Sequence, residues 1–157
     1  MSLQKRPSTR KASIATSSDG IRYSLAVISR RAVSSMELKK KLKGRGASDE
    51  IIEASLARIR ELGYLNDREY ARRRALLMAE RGYGDYAIRL FLEGLGFPEE
   101  MAYDALGGIP EDLGEGKRIA MIIARRKDLG REKLTRFLAG RGFPLDLVID
   151  TVGGVDE

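Results

Sequence analysis

The side chains that usually carry catalysis are scarce in this sequence of 157 residues, which contains no histidine and no cysteine. Histidine is the usual general base near neutral pH, and histidine and cysteine are the usual ligands of zinc and similar metals. The carboxylates show no metal-binding spacing, so a site made only of oxygen ligands has no support in the pattern. We therefore predict a protein that is not an enzyme, with no catalytic residue, no metal and no cofactor.

Basic side chains are the remaining groups that could bind a partner, and they are unevenly distributed. Residues 1–65 carry 14 Lys and Arg against 6 Asp and Glu, whereas residues 66–109 have a net charge of −2 and residues 110–157 a net charge of zero. Positive charge favours phosphate-rich or acidic partners. The candidate partner- or DNA-binding residues in the basic part are Arg30, Arg31, Lys39, Lys40, Lys43 and Arg45.

Three lysines of this set lie in the stretch SSMELKKKLKGRG at 34–46, which has the pattern of an amphipathic helix. Leu38 and Leu42 are four residues apart and form its predicted buried stripe. The lysines predicted to point away from that stripe are Lys39, Lys40 and Lys43. A solvated helix face is the alternative interpretation of these lysines, and the pattern leaves it open.

Two glycines separated by one residue occur three times, at 44/46, 94/96 and 140/142. Glycine-rich loops can hold phosphates, but neither a GxGxxG after a strand nor a GK[ST] motif is present. The glycine pairs instead take the same place in three segments that align with one another, at 37–59, 87–109 and 133–155, so we infer a tandem repeat of about 45–50 residues. The aligned apolar positions are Leu38, Ile88 and Leu134, followed by Leu42, Leu92 and Leu138.

Each aligned segment has the pattern of a helix, a glycine turn and a second helix. We predict that the first glycine of each pair takes the left-handed conformation that ends a helix. Pro98 and Pro144 are predicted as first residues of the next helix, and Ser48 as its N-cap in the first copy. Two segments resemble capping boxes at helix starts, Ser34-x-x-Glu37 and Asn66-x-x-Glu69.

One more helix is predicted before each pair, at 23–32, 67–82 and 115–130. In the first of these helices Arg30 and Arg31 occupy the last turn, where cations suit the helix dipole. The stretch GYLND then separates the first two units, and we predict that Gly63 ends a helix while Tyr64 and Leu65 pack between repeats.

These elements predict an all-α fold of three tandem three-helix repeats forming an elongated, curved array. The predicted boundaries are a disordered basic tail at 1–20 and repeats at 21–65, 66–109 and 110–157. The start of the sequence lacks the apolar stretch of a secretory signal, and no run of about 18 apolar residues predicts a membrane span. A cytoplasmic monomer without membrane contact is therefore expected.

The segment LAVISRRAVSSMELKKKLKGRGASDEIIEASLARIRELGYLNDREYARR at 25–73 resembles the signature stretch of the RecX family of RecA regulatory proteins. The positions that carry the resemblance are Arg31, Ser35, Glu37-Leu38, Lys41-Leu42, the GYLND of Gly63–Asp67 and Tyr70-Ala71. The later GLGFP and GRGFP suit the family's second and third repeats, so the resemblance covers about residues 21–152. One departure is Asn66. The family's usual stretch is GYLDD, with an aspartate at this position before Asp67, and the asparagine keeps a capping oxygen.

This resemblance implies three tandem three-helix repeats in a bacterial cytoplasm. It also implies binding to RecA and to the RecA–single-stranded DNA filament. The implied role is regulation, mainly inhibition, of the filament's recombinase and ATPase activities in recombination, DNA repair and the SOS response.

Two alternatives to a RecA regulator remain open on the sequence. The first is a helical protein that binds DNA without sequence specificity and without a RecA partner, with weak affinity for phosphates. A base-reading helix-turn-helix is not favoured, because its second helix would begin with Asp49 and Glu50. The other alternative is an adaptor that binds a different acidic protein.

Overall fold

Every regular element of the computed structural model, which describes residues 12–154, is helical. The elements are α1 (Ser17–Ile28), α2 (Ser35–Gly44), α3 (Asp49–Glu61), α4 (Asp67–Glu80), α5 (Asp85–Gly94), α6 (Glu99–Gly107), α7 (Glu115–Arg125), α8 (Arg131–Gly140) and α9 (Leu145–Gly153), with a 3-10 turn at Glu111–Leu113 before α7. The predicted all-α class is confirmed. The chain divides into two compact units, Met1–Asn66 and Asp67–Glu157.

The first unit surrounds one hydrophobic core formed by α1, α2 and α3. Its most buried large side chains are Leu38, Leu42, Ile52 and Ile59, each with no exposed surface. Leu65 belongs to this core, whereas Tyr64 is 57 % exposed. The prediction that both residues pack between repeats is therefore wrong for Tyr64, which faces solvent.

The predicted disordered tail at 1–20 ends too late. Helix α1 begins at Ser17, and Thr16 caps it by accepting a hydrogen bond from the Asp19 backbone N–H. Ile14 is 4 % exposed, and its backbone N–H donates to the Arg45 carbonyl over 3.0 Å. The buried Ile14 side chain attaches the segment before α1 to the core. A single apolar residue has no helical periodicity, so the sequence pattern did not predict this contact. The first 11 residues of the predicted tail lie outside the described range.

Two further cores lie in the second unit, one built from α4, α5 and α6 and one from α7, α8 and α9. The aligned apolar positions of the repeat are buried in all three cores. Ile88 and Leu92 have no exposed surface, and Leu134 and Leu138 are 6 % and 0 % exposed. The boundaries predicted for the three repeats, 21–65, 66–109 and 110–157, stay a prediction.

The helix-ending conformation falls on the second glycine of each pair, which corrects the prediction for the first. The first glycine is the last residue of its helix, and the second has a positive φ, 80° at Gly46, 89° at Gly96 and 86° at Gly142. At Gly46 the turn is a Schellman motif, because the Ala47 N–H donates to the Leu42 carbonyl and the Gly46 N–H to the Lys43 carbonyl. The helix thus continues through the first glycine, and the left-handed position lies two residues later than predicted.

The helix starts agree with the prediction at the two serine caps and lie one residue later than predicted at the two prolines. The Ser34 hydroxyl accepts from the Glu37 N–H, and the Ser48 hydroxyl accepts from the Ile51 N–H, so both predicted N-caps are confirmed. Pro98 and Pro144 have ψ values of 149° and 133°, which are extended rather than helical. Each proline is therefore the N-cap, and the helix begins at the following residue.

The first helix of each group is shorter at its C-terminus than predicted. Helix α1 ends at Ile28 rather than at 32, α4 at Glu80 rather than at 82, and α7 at Arg125 rather than at 130. None of the helices between residues 12 and 154 is long and apolar enough to cross a membrane.

Candidate partner-binding surface

The face of α2 that points away from the core carries the predicted lysines. Leu38 and Leu42 lie against α1 and α3 with no exposed surface, so Lys39, Lys40 and Lys43 face solvent. The Lys39 ammonium lies 3.4 Å from a carboxylate oxygen of Glu53 on α3, and the Lys39 side chain is 46 % exposed. An exposed pair of this kind contributes little stability, so the lysine remains available to an anionic partner.

A basic groove lies beside α2, along the second half of α1. It has a volume of about 450 Å³ and is lined by the apolar parts of α1 and by four cationic side chains. We call it the basic groove and define it by Tyr23, Arg30, Arg31, Lys41 and Arg45. No carboxylate is among its lining residues. Four cations around an open groove give this surface the chemistry that favours an anionic ligand.

The position of Arg45 in the groove follows from its place in the glycine turn. Arg45 is the C-cap residue of α2, and its guanidinium carbon lies 4.8 Å from the centre of the Tyr23 ring. The Arg45 carbonyl accepts the hydrogen bond from Ile14 described above. Backbone and side chain are thus both held, and the cation–π contact leaves the guanidinium N–H groups free to meet an anion.

Glu37 neutralises part of the positive charge beside the groove. Its carboxylate accepts hydrogen bonds from both terminal guanidinium nitrogens of Arg31, one of them over 3.1 Å, and lies 3.9 Å from the Lys41 ammonium. No carboxylate in the part of the chain that the structure describes pairs with Arg30 or Arg45 in this way. The strongest uncompensated charge of the groove therefore belongs to Arg30 and Arg45.

The structure separates the six predicted site residues into two groups. Arg30, Arg31 and Arg45 line the basic groove, whereas the three lysines lie on the outward face of α2 and outside the groove lining. Arg30 and Arg31 follow the end of α1, so they lie in a turn rather than in the last helical turn that was predicted.

Two groove residues, Tyr23 and Lys41, were not among the predicted site residues. Lys41 lies three residues after Leu38, which places it at the edge of the buried stripe, and it is only partly exposed. Tyr23, Val27 and Arg30 follow the spacing i, i+4, i+7 along one helix face, a signal that a helical wheel of residues 17–30 would have revealed.

Metal binding has no geometric support in this surface or elsewhere in residues 12–154. No group of three or more Asp and Glu side chains in that range comes close enough together to hold an ion. The guanidinium and ammonium groups of this surface have the chemistry that suits anionic ligands.

Comparison with known proteins gives consistent relatives, although no protein-family model matches the chain. A protein of Stenotrophomonas maltophilia strain R551-3 named Regulatory protein RecX is 31 % identical over 126 residues, covering 68 % of this chain and 77 % of the relative. A Thermus thermophilus protein of the same name is 37 % identical over 89 residues, covering 57 % of this chain. The match spans 61 % of that Thermus relative's length, which is less than two thirds.

Solved structures agree with the helical architecture. The crystal structure of RecX from Lactobacillus salivarius superimposes with a TM-score of 0.77 at 21 % identity, covering 89 % of this chain and 96 % of the other. A second crystal structure, described as regulatory protein RecX, superimposes with a TM-score of 0.73 over 90 % of this chain. At 21 % identity these structures support the fold and carry no conclusion about function.

Proposed function

The chain belongs to the RecX family of regulatory proteins, and we propose that it binds the recombinase RecA and the RecA–single-stranded DNA filament. In this proposal it modulates, mainly inhibits, the filament's recombinase and ATPase activities in recombination, DNA repair and the SOS response. The observation that carries the proposal is the match to 77 % of a protein whose name is Regulatory protein RecX. The protein acts as a cytoplasmic monomer and has no enzymatic activity of its own.

The basic surface of the first unit supplies the anion-binding part of this proposal. The groove cations and the outward lysines of α2 meet acidic protein surface or DNA phosphates of the filament. Individual contacts of exposed charges are weak. Several such contacts on one chain add up through effective concentration, so a modest surface can hold a polymeric target.

Inhibition needs no catalytic step in this mechanism. A bound chain occupies filament surface that an incoming duplex would use, and it opposes the protomer movements that accompany ATP turnover. Loss of protomers from a filament end would give the same net inhibition. These routes differ in kinetics, and the basic surface serves each of them.

The decisive experiment adds the protein to RecA assembled on single-stranded DNA with ATP, while binding and ATP hydrolysis are followed together. We expect saturable binding and a lower hydrolysis rate. If an excess of the folded protein neither binds the filament nor changes the rate, the proposal is wrong.

Direct binding to DNA without a RecA partner is the second candidate, and the basic groove is the observation that favours it. Four cations line the groove, two of them partly neutralised by Glu37, and Tyr23 adds an aromatic ring. The acidic start of α3, with Asp49 and Glu50, argues against base reading by that helix. Titration of bare oligonucleotides at several salt concentrations tests this candidate, because phosphate contacts give a negative slope of log affinity against log salt, and a slope near zero would exclude them.

A further inference from the structure

A second exposed surface lies on α5 and α6, and its composition differs from that of the basic groove. Tyr86 and Tyr103 are 58 % and 55 % exposed, and Leu90 is 46 % exposed. Tyr86 and Leu90 are four residues apart on α5, so they lie on the same face of that helix. Isolated exposed apolar residues are common, whereas three large ones on adjoining helices form a patch.

Arg89 occupies the centre of this patch. Its guanidinium carbon lies 5.4 Å from the centre of the Tyr86 ring and 5.8 Å from that of Tyr103. Glu93 accepts a hydrogen bond from Arg89 over 2.7 Å, and this bond raises the pKa of the Arg89 guanidinium. The two rings are therefore arranged around an already ordered cation, which lowers the entropy lost when a partner binds.

The two helices that carry the patch are acidic, although Arg68 and Arg72 of α4 approach Asp104 from the neighbouring helix. Residues 85–107 contain five Asp and Glu against one Arg. Glu99 and Glu100 are exposed in the first turn of α6, and neither has an ion pair among the residues that the structure describes. They lie four and three residues before Tyr103, so they share its side of α6. The other three acids each pair with an arginine: Asp85 with Arg118, Glu93 with Arg89 and Asp104 with Arg72.

We propose that this aromatic–acidic face, formed by Tyr86, Arg89, Leu90, Glu99, Glu100 and Tyr103, docks a protein segment that carries Lys or Arg beside an apolar side chain. The inference rests on the proposed function, because the segment is assigned to the protein component of the filament, RecA. Tyrosine and arginine dominate the binding energy of many protein interfaces. The flanking carboxylates select a cationic segment and repel nucleic acid phosphates.

The chain thus has two partner surfaces of opposite chemistry, each in its own unit. The basic groove takes an anion, and the aromatic–acidic face takes a cation with an apolar neighbour. Discrimination between filament-bound RecA and bare DNA follows from this division, because only a protein surface supplies the second kind of ligand.

The test measures the binding of full-length variants to RecA filaments on single-stranded DNA. The double variant Tyr86→Ser with Tyr103→Ser is compared with the control Tyr64→Ser, whose tyrosine is 57 % exposed in the other unit. We expect about tenfold weaker binding of the double variant or more, in the range of an interface hot spot, and wild-type binding of the control.

A charge-reversal pair tests the chemistry of the partner independently of the tyrosines. Glu99→Lys with Glu100→Lys is compared with Asp49→Lys with Glu50→Lys, since both pairs are exposed acids at the first two positions of a helix. The two variants therefore change net charge and helix-dipole interactions equally. We expect only the α6 variant to bind the filament more weakly. Tighter binding of that variant would mean that an anion faces α6, and it would overturn the inference.

The outcomes separate this inference from the proposed function. Wild-type binding together with unaltered binding of the tyrosine and α6 variants overturns the docking face and leaves the proposed function standing. Absence of wild-type binding overturns both. Circular dichroism checks that each variant is folded, and the α6 charge reversal decides the question if the tyrosine variant does not fold.

Discussion

Arg118 Nη2 lies 2.5 Å from Asp85 Oδ1, and this ion pair joins α7 to α5 inside the second unit. The Arg118 side chain is only 2 % exposed, and its other terminal nitrogen donates to the Tyr83 carbonyl. Its guanidinium carbon also lies 5.8 Å from the centre of the Phe143 ring. A buried charge is tolerated only when it is paired. The ion pair is therefore one of the contacts that hold the α7–α9 group on the α4–α6 group, together with the hydrogen bond from the Gly84 N–H to the Arg141 carbonyl.

Removal of the carboxylate partner should destabilise the second unit. We expect Asp85→Ala to lower the free energy of unfolding by about 1–2 kcal/mol, less than for a fully buried pair because Asp85 is 42 % exposed. The additional change Arg118→Met should restore part of the loss, since it removes the unpaired charge. Urea unfolding measures both, and Asp49→Ala controls for the loss of a first-turn acid. Equal stability of the single and double variants would contradict the expected coupling.

The turn before α5 should not accept a side chain. A Cβ placed on Gly84 would lie 2.3 Å from the backbone carbon and oxygen of Gly142, and a backbone hydrogen bond of 2.8 Å joins the Gly84 N–H to the Arg141 carbonyl. Gly84→Ala is expected to lower the free energy of unfolding by about 1–3 kcal/mol through overpacking. Chemical unfolding with far-ultraviolet circular dichroism measures the change.

Gly94 provides the matched control for that substitution. It is the last residue of α5, and a Cβ there would meet no atom within 4 Å. Gly94→Ala should stabilise the protein by about 0.4–1 kcal/mol, because alanine has less freedom in the unfolded chain. Similar effects at both glycines would show that the close approach at Gly84 is unimportant.

The stability of the second unit should depend on the ionisation of Glu115. Burial raises the pKa of this carboxyl above its ordinary value of 4.5, against a hydrogen bond of 2.8 Å from the Asp85 N–H that lowers the pKa. A raised pKa means that the folded state binds the proton more tightly than the unfolded state. The contribution of Glu115 to stability therefore falls as the pH rises above 4.5.

Glu115→Gln should remove this pH dependence while its amide oxygen still accepts from Asp85. We expect the variant to lose less stability than the wild type when the pH is raised from the ordinary pKa towards neutrality. Thermal unfolding over a pH series measures the difference, with the exposed Glu111→Gln as control. Parallel curves for the wild type and Glu115→Gln would refute the assignment.

The outward lysines of α2 should contribute to filament binding without supporting the fold. Lys39→Glu, Lys40→Glu and Lys43→Glu together should weaken binding to the RecA filament and leave helicity unchanged. A control of equal charge change uses three exposed lysines of the second unit, Lys117, Lys127 and Lys133. Unchanged affinity of the α2 variant would mean that these lysines form only a solvated helix face.

The groove arginines should determine how binding to bare single-stranded DNA depends on salt. Each phosphate contact contributes a slope of about −0.7 in log affinity against log salt for single strands. Arg30→Ala with Arg45→Ala should therefore make the slope shallower by about 1.4. Fluorescence anisotropy of a labelled oligonucleotide measures it, with Lys117→Ala and Lys133→Ala as control. Equal slopes for wild type and the arginine variant would exclude the groove from phosphate contact.

The sequence was sufficient for the parts of the fold that depend on local spacing. Apolar residues four apart, such as Leu38 and Leu42, indicate the buried stripe of a helix, and serine caps such as Ser34 define where a helix begins. The glycine turns were located correctly, but the left-handed position was assigned to the wrong glycine of each pair. Each helix continues through the first glycine. Which glycine is left-handed depends on which carbonyl accepts the hydrogen bond that closes the turn, such as the Leu42 carbonyl that accepts from the Ala47 N–H.

The candidate site was predictable only as a list of cations. Charge counting identified Arg30 and Arg45, yet the grouping of these arginines with Tyr23 and Lys41 depends on how α1 packs beside α2. The early start of α1 depends on a local cap at Thr16, whereas the burial of Ile14 before it depends on contact with a distant turn.

Composition and periodicity determined the helical class, the repeated buried stripe and the excess of positive charge in the first unit. Tertiary structure alone decided that Arg118 is buried against Asp85, that Gly84 touches Gly142, and that Tyr86 and Tyr103 enclose Arg89 on an acidic face. The physical reason is range. A helix is specified by residues three and four apart, whereas Arg118 and Asp85 are 33 positions apart and meet only when the helices pack.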